Sequence, residues 1–250
     1  MTSLHARRRP CLIRGSTCVL TLVLLLLSVA TTLFSQERSA EWRFIFFPHP
    51  VQEKAWQVSV GLTLTTPARE VTEEVAVRGP AFDAHALYGL PSNFTLDGRA
   101  ISQVIQNHFS LGVRWAYPMG RFSVGAGYDV AWWFGFLEVG GFDSKANGWL
   151  NYPAVSVGYA FDDALLTLKA EAILNMSYSS FVGENEVSSD ANTFAGMAFG
   201  LFLEQPFWKH TNVTLGFKAN YTKFHWMTWA LFSTFDQYLF YPEITIGFIL

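Results

Sequence analysis

Residues 109–131, FSLGVRWAYPMGRFSVGAGYDVA, hold the decisive pattern. Phe109, Leu111, Val113, Trp115 and Tyr117 alternate with Ser110, Gly112, Arg114 and Ala116. After Pro118-Met119-Gly120 the alternation resumes. Phe122, Val124, Ala126, Tyr128 and Val130 stand against Ser123, Gly125, Gly127, Asp129 and Ala131. A period of two belongs to a β-strand, whose side chains point alternately to opposite faces. Pro and Gly between two such runs mark a tight turn, so the stretch predicts a hairpin. One face of it is large and apolar; the other is small or polar.

The pattern continues in both directions. Upstream, Trp56, Val58, Val60, Leu62 and Leu64 enclose Gln57, Ser59, Gly61 and Thr63. Downstream, alternating runs start at Val155, Leu166, Met197, Val213 and Ile244, several about ten residues long. A strand that crosses a bilayer needs roughly 9–11 residues. A soluble sandwich would turn its large residues inward and its charges outward. Here the apolar face is too regular and too aromatic for one shared core, and lipid is the expected neighbour.

Composition agrees. Of 250 residues, 50% are hydrophobic, 16% aromatic and only 15% charged, against about 25% charged in an ordinary soluble domain. At the start, Arg7, Arg8, Arg9 and Arg14 precede an apolar run from Cys18 to Phe34, the arrangement of a secretory signal peptide. Cleavage is expected near Ser35 or Gln36, with Ser28-Val29-Ala30 as the other small-residue site. Without residues 1–36 the chain has 13 basic and 20 acidic residues, a net charge of −7, which speaks against nucleic acid as a partner. Cys11 and Cys18 both lie in the leader, so no disulfide or thiolate metal site is expected in the mature chain.

The expected fold is all-β: an antiparallel up-and-down transmembrane β-barrel over residues 55–250. It follows the signal peptide, 1–36, and a periplasmic N-terminal segment, 37–54. Turns at Pro118-Met119-Gly120 and Asp162-Asp163-Ala164 are short and Gln205 to Asn212 is moderate, whereas Phe136–Asn151, Ser179–Ala191 and Lys223–Gln237 are longer. Barrels keep short turns in the periplasm and long loops outside. Residues 65–107 are harder to divide. Taking Thr65–Ala81 as an outer loop, with a turn at Leu90-Pro91-Ser92-Asn93, gives ten strands. Treating Val71–Val77 and Tyr88–Leu96 as an extension of one hairpin gives eight. Ten is preferred.

With this strand pattern, the leader and the tail from Tyr241 to Leu250, the chain resembles single-chain outer-membrane β-barrel proteins of diderm (Gram-negative) bacteria. The likeness implies an outer-membrane location, contact with outer-membrane lipids, and insertion by the barrel-assembly machinery. In that class the last strand commonly ends on an aromatic residue; here Phe248 stands two before a terminal Leu250. The likeness carries over no functional residue.

The polar faces bear Asp97, Arg99, Arg114, Asp129, Lys169, Glu171, Glu204, Lys218 and Glu243. In a barrel this small, side chains fill the lumen, and buried charges need partners, so a compensated interior network is expected. Trp132, Trp133, Trp226 and Trp229 suggest an aromatic mouth: an interfacial girdle, or a platform for an apolar ligand. His49, His85, His108, His210 and His225 show no metal-binding spacing, and no cofactor, metal site or catalytic motif is expected. A structural, adhesive or ligand-binding membrane protein with a filled lumen is the favoured reading. A narrow pore or transporter for small or apolar solutes is the alternative, and an outer-membrane enzyme acting on lipid or peptide the next.

Overall fold

The computed structural model describes residues 43–68, 79–139, 142–208, 211–231 and 237–250. The leader, Val71–Val77 and His210 lie outside these residues. The strands are β1 (Trp56–Thr65), β2 (Pro80–Gly89), β3 (Phe94–Ser102), β4 (Gln106–Met119), β5 (Phe122–Val139), β6 (Phe142–Ala160), β7 (Leu165–Val182), β8 (Asn185–Asp190), β9 (Thr193–Trp208), β10 (Thr211–Thr222) and β11 (Leu239–Ile249). Neighbours pair in sequence from β1 to β7, then β7 pairs with β9, β9 with β10, and β10 with β11. The antiparallel pairing of β1 with β11, from Ser59↔Ile249 to Thr65↔Glu243, closes the ring. Ten strands form the wall. β8 pairs only with the upper part of β7 and extends one hairpin. Among the described residues no helix is long and apolar enough to cross a membrane; the crossing elements are strands.

Local chemistry sets the turns. Ser92 and Asn93, both with positive φ (61° and 65°), join β2 to β3, and Phe94 N–H donates to Pro91 C=O. Two left-handed residues in succession make a type I′ turn, whose twist matches that of the strands it joins. Gly120, φ 65°, serves between β4 and β5. At the opposite end, two segments expected as loops are largely strand. β5 and β6 stay paired out to Val139↔Phe142, and β7 and β8 pair through residues 178–190.

The alternation sorts the faces as the sequence implies. Leu111, Val155 and Leu168 are 59%, 61% and 60% exposed, while Thr63, Thr167 and Glu204 are fully buried. On β5 the outward aromatics Phe122 and Trp132 are ten residues apart. At about 3.3 Å per residue and a tilt near 40°, they span roughly 25 Å, the height of a barrel's apolar band.

The lumen has three layers. At the short-turn end Phe44, Ile45, Phe46 and Phe47 form an apolar cluster with Leu87, Leu165, Phe202 and Ile249. These plug residues belong to the segment 37–54 and lie inside the wall. At the long-hairpin end Phe224, Trp226 and Trp229 fold inward and pack with Trp133, Leu150 and Tyr178. A 3₁₀ turn, Trp226–Leu231, carries two of these indoles. Gly135 and Gly148 make room: a Cβ on Gly135 would lie 2.1 Å from Trp229 Nε1, and one on Gly148 2.8 Å from Trp133 Nε1. Charged side chains occupy the middle.

Candidate functional site: the central charge layer

Every wall strand but β1, β6 and β9 contributes a charged or histidine side chain to the middle layer, and three groups result. On β2 and β3, Arg99 holds Asp83 with two bonds, Nε to Oδ1 at 3.0 Å and Nη2 to Oδ2 at 2.5 Å. Planar two-point pairing is the strongest geometry available to a guanidinium. Thr63 Oγ1 on β1 donates to the same Asp83 at 2.7 Å. Arg99 also comes within 4.0 Å of Glu243 on β11, which accepts from Thr65 Oγ1 at 3.3 Å. These bonds stitch the first and last strands together from inside.

In the second group Arg114 on β4 pairs directly with Asp97 on β3, which also meets His85 Nε2 at 2.6 Å. In the third, Glu171 on β7 binds two cations, Lys169 at 3.0 Å and Lys218 of β10. The small face explains this reach. Gly200 on β9 is the register partner of both Lys169 and Lys218, so no side chain stands between the two ammonium groups. Gly112 likewise separates Asp97 and Asp129 in register. Asp129 lies so close to it that a Cβ there would be 1.9 Å from Oδ1, an atom with no hydrogen-bond partner among the described residues.

Of the nine charges singled out from sequence, eight line one central cavity of about 60 Å³, together with His85, His108 and Tyr152. That is room for a few waters. His108 Nε2 and Tyr152 OH are 3.1 Å apart. The ninth, Glu204, stands apart. Its carboxylate accepts the N–H groups of Ile45, Phe46 and Phe47 at 2.6, 3.0 and 2.9 Å, so it anchors the plug and not a cation. Asp83 and His85 belong to the layer although the charge pattern on the polar faces did not single them out; both lie on the inward positions of β2.

The four tryptophans divide. Trp132 faces outward, 38% exposed, beside Phe109 and Phe134, as a girdle residue does. Trp133, Trp226 and Trp229 are buried inside. An open aromatic mouth is therefore not formed by these three. Their glycine-lined seats and the inward fold of residues 224–229 turn them into a cap. Among the described residues no three His, Cys, Asp or Glu side chains converge as a metal site would require.

A closed ring of strands, apolar outside and charged within, is compatible with lipid around it and with little else. This is an outer-membrane β-barrel fold. No family model matches the sequence, and no curated protein does. Solved structures do. Neisserial surface protein A (NspA) is 11% identical, covering 78% of this chain and 96% of that one, with a TM-score of 0.38. The translocator domain of autotransporter NalP from Neisseria meningitidis is 10% identical, covering 94% and 96%, TM-score 0.41. Outer membrane phospholipase A from Escherichia coli is 13% identical, covering 85% and 94%, TM-score 0.35. These likenesses are too distant to bear on any residue of the lumen, and the fold rests on the barrel itself.

Proposed function

We propose that this is an integral outer-membrane barrel with a closed lumen, serving a structural, adhesive or ligand-binding role. The observation that carries the reading is the double closure. Residues 44–47 fill one end, residues 224–229 cap the other, and ion pairs occupy the space between. Lipids contact the outer face, and the barrel-assembly machinery would receive the final strand. Surface chemistry is then left to the long hairpins β5–β6 and β7–β8, which rise above the apolar band.

A narrow pore is the second reading. It is favoured by a second small cavity of about 30 Å³ beside the plug, which shares Arg114, Asp129 and Lys169 with the central one. Planar-bilayer recording separates the two. The intact protein is expected to insert without conductance steps; stable open steps would overturn the closed-lumen reading and put the pore first.

A further inference from the structure

The grip on residues 43–48 falls on their backbone. Glu204 takes three successive N–H groups, those of Ile45, Phe46 and Phe47. Gln57 Oε1 accepts from Phe44 N–H at 3.1 Å. Arg114 Nη1 donates to Ile45 C=O at 2.5 Å, and Asn212 Nδ2 to Arg43 C=O at 2.6 Å. Ser123 Oγ donates to Pro48 C=O. The five wall side chains come from β9, β1, β4, β10 and β5, so the segment is held from around the ring. Each of these bonds ends on a main-chain atom of the plug.

Its aromatic side chains are seated by shape. Phe46 stacks on Phe202 with ring centroids 3.9 Å apart. Phe47 covers Gly158, where a Cβ would lie 2.4 Å from the ring, and Pro48 covers Gly125 at 2.9 Å. Past the plug the chain leaves the lumen through Gln52, Glu53 and Lys54, all exposed.

A wall that reads main-chain N–H and C=O groups, and offers flat seats for aromatic rings, recognises a class of peptide and not one covalent arrangement. We propose that the short-turn mouth of the barrel is a peptide-binding site. It takes a short aromatic-rich segment with three consecutive free N–H groups, and residues 43–48 are its ligand supplied in cis. This rests on the closed-lumen reading, of which the plug is one half. It adds that the occupant is exchangeable.

The test leaves folding intact. A protease site placed at the exposed residues 52–54 of the full chain is cut only after the protein has folded in detergent. The cut segment is then displaced by excess dye-labelled peptide of residues 43–51, and binding is followed by fluorescence anisotropy. Saturable one-to-one binding is expected. Methylating the backbone nitrogens of Ile45, Phe46 and Phe47 should weaken it by tenfold or more, because hydrogen bonds to a charged group are worth about 1.5–3 kcal/mol each. That peptide is no less apolar, so micelle partitioning cannot mimic the effect. Glu204→Gln should weaken the unmodified peptide in the same direction. A segment that cannot be displaced, absence of saturable binding, or equal binding of the methylated peptide would overturn the proposal. Conductance of the uncut protein would instead overturn the closed lumen, so the two failures are distinct.

Discussion

Glu171→Gln is expected to cost about 3–5 kcal/mol of stability, the range for removing one partner of a buried ion pair. Glu171 is the shared counter-ion of Lys169 and Lys218. Its side chain is 6% exposed and those of the lysines about a fifth. Without it, two ammonium groups face each other across Gly200 with no carboxylate between them. Urea titration of the protein folded into liposomes would read the loss. Glu184→Gln, on an exposed turn, should change stability by under about 0.5 kcal/mol. Adding Lys218→Met to Glu171→Gln should recover part of the loss by removing one orphaned cation. Equally mild effects at Glu171 and Glu184 would mean that water screens the layer, and the pore reading would gain.

Val113→Arg is expected to cost about 2–4 kcal/mol, the range for a cation on the lipid face near the bilayer midplane. Val113 is 41% exposed on β4 and lies four residues from Phe109 and six from Met119, the register partners of the rim aromatics Trp132 and Phe122. Leu168→Arg, also on the lipid face, should cost less. It lies three residues into β7 from the short-turn end, roughly 8 Å along the barrel axis at 3.3 Å per residue and a 40° tilt, where an arginine can reach the interface. Folding yield and urea midpoints in liposomes would check the order. An equal cost at both sites would contradict the depth assigned to them.

The lipid explains what the sequence discloses and what it conceals. Between the two aromatic rims the outer face must be apolar and the inner face must fill a narrow tube, so the period of two is forced and legible. Above the rims both faces meet water. Asp143, Ser144, Lys145, Ala146 and Asn147 are paired strand residues without hydrophobic alternation, and for that reason they read as loop. The ladder persists because backbone hydrogen bonding does not depend on hydropathy. Which charges share the lumen was legible, since each sits on an inward position. Their pairing was not, because it depends on which small residues let side chains pass.

The plug and the cap were the hardest to see. Arg43 to Val51 has apolar side chains but no period, and two prolines within it. The aromatic run from Phe224 to Trp229 likewise has no period. The signal was on the wall: Gly135, Gly148 and Gly158 leave spaces shaped for Trp229, Trp133 and Phe47. A glycine on a strand says that something approaches closely, without saying what. The resulting order, apolar at both ends and ionic in the middle, places the charges where neither aqueous end reaches them directly. Strong mutual pairing is the physical consequence.

Spin labels along β4 test the central claim most directly, that a lipid-embedded barrel turns its large residues out and its charges in. Cys11 and Cys18 are the only cysteines, so with both replaced each position from 109 to 116 can be labelled singly and read in lipid vesicles. Collision with dissolved oxygen is expected to be high at 109, 111, 113 and 115 and low at 110, 112, 114 and 116, with a water-soluble nickel chelate reaching neither set. Oxygen accessibility that does not alternate, or that peaks at the even positions, would contradict the account.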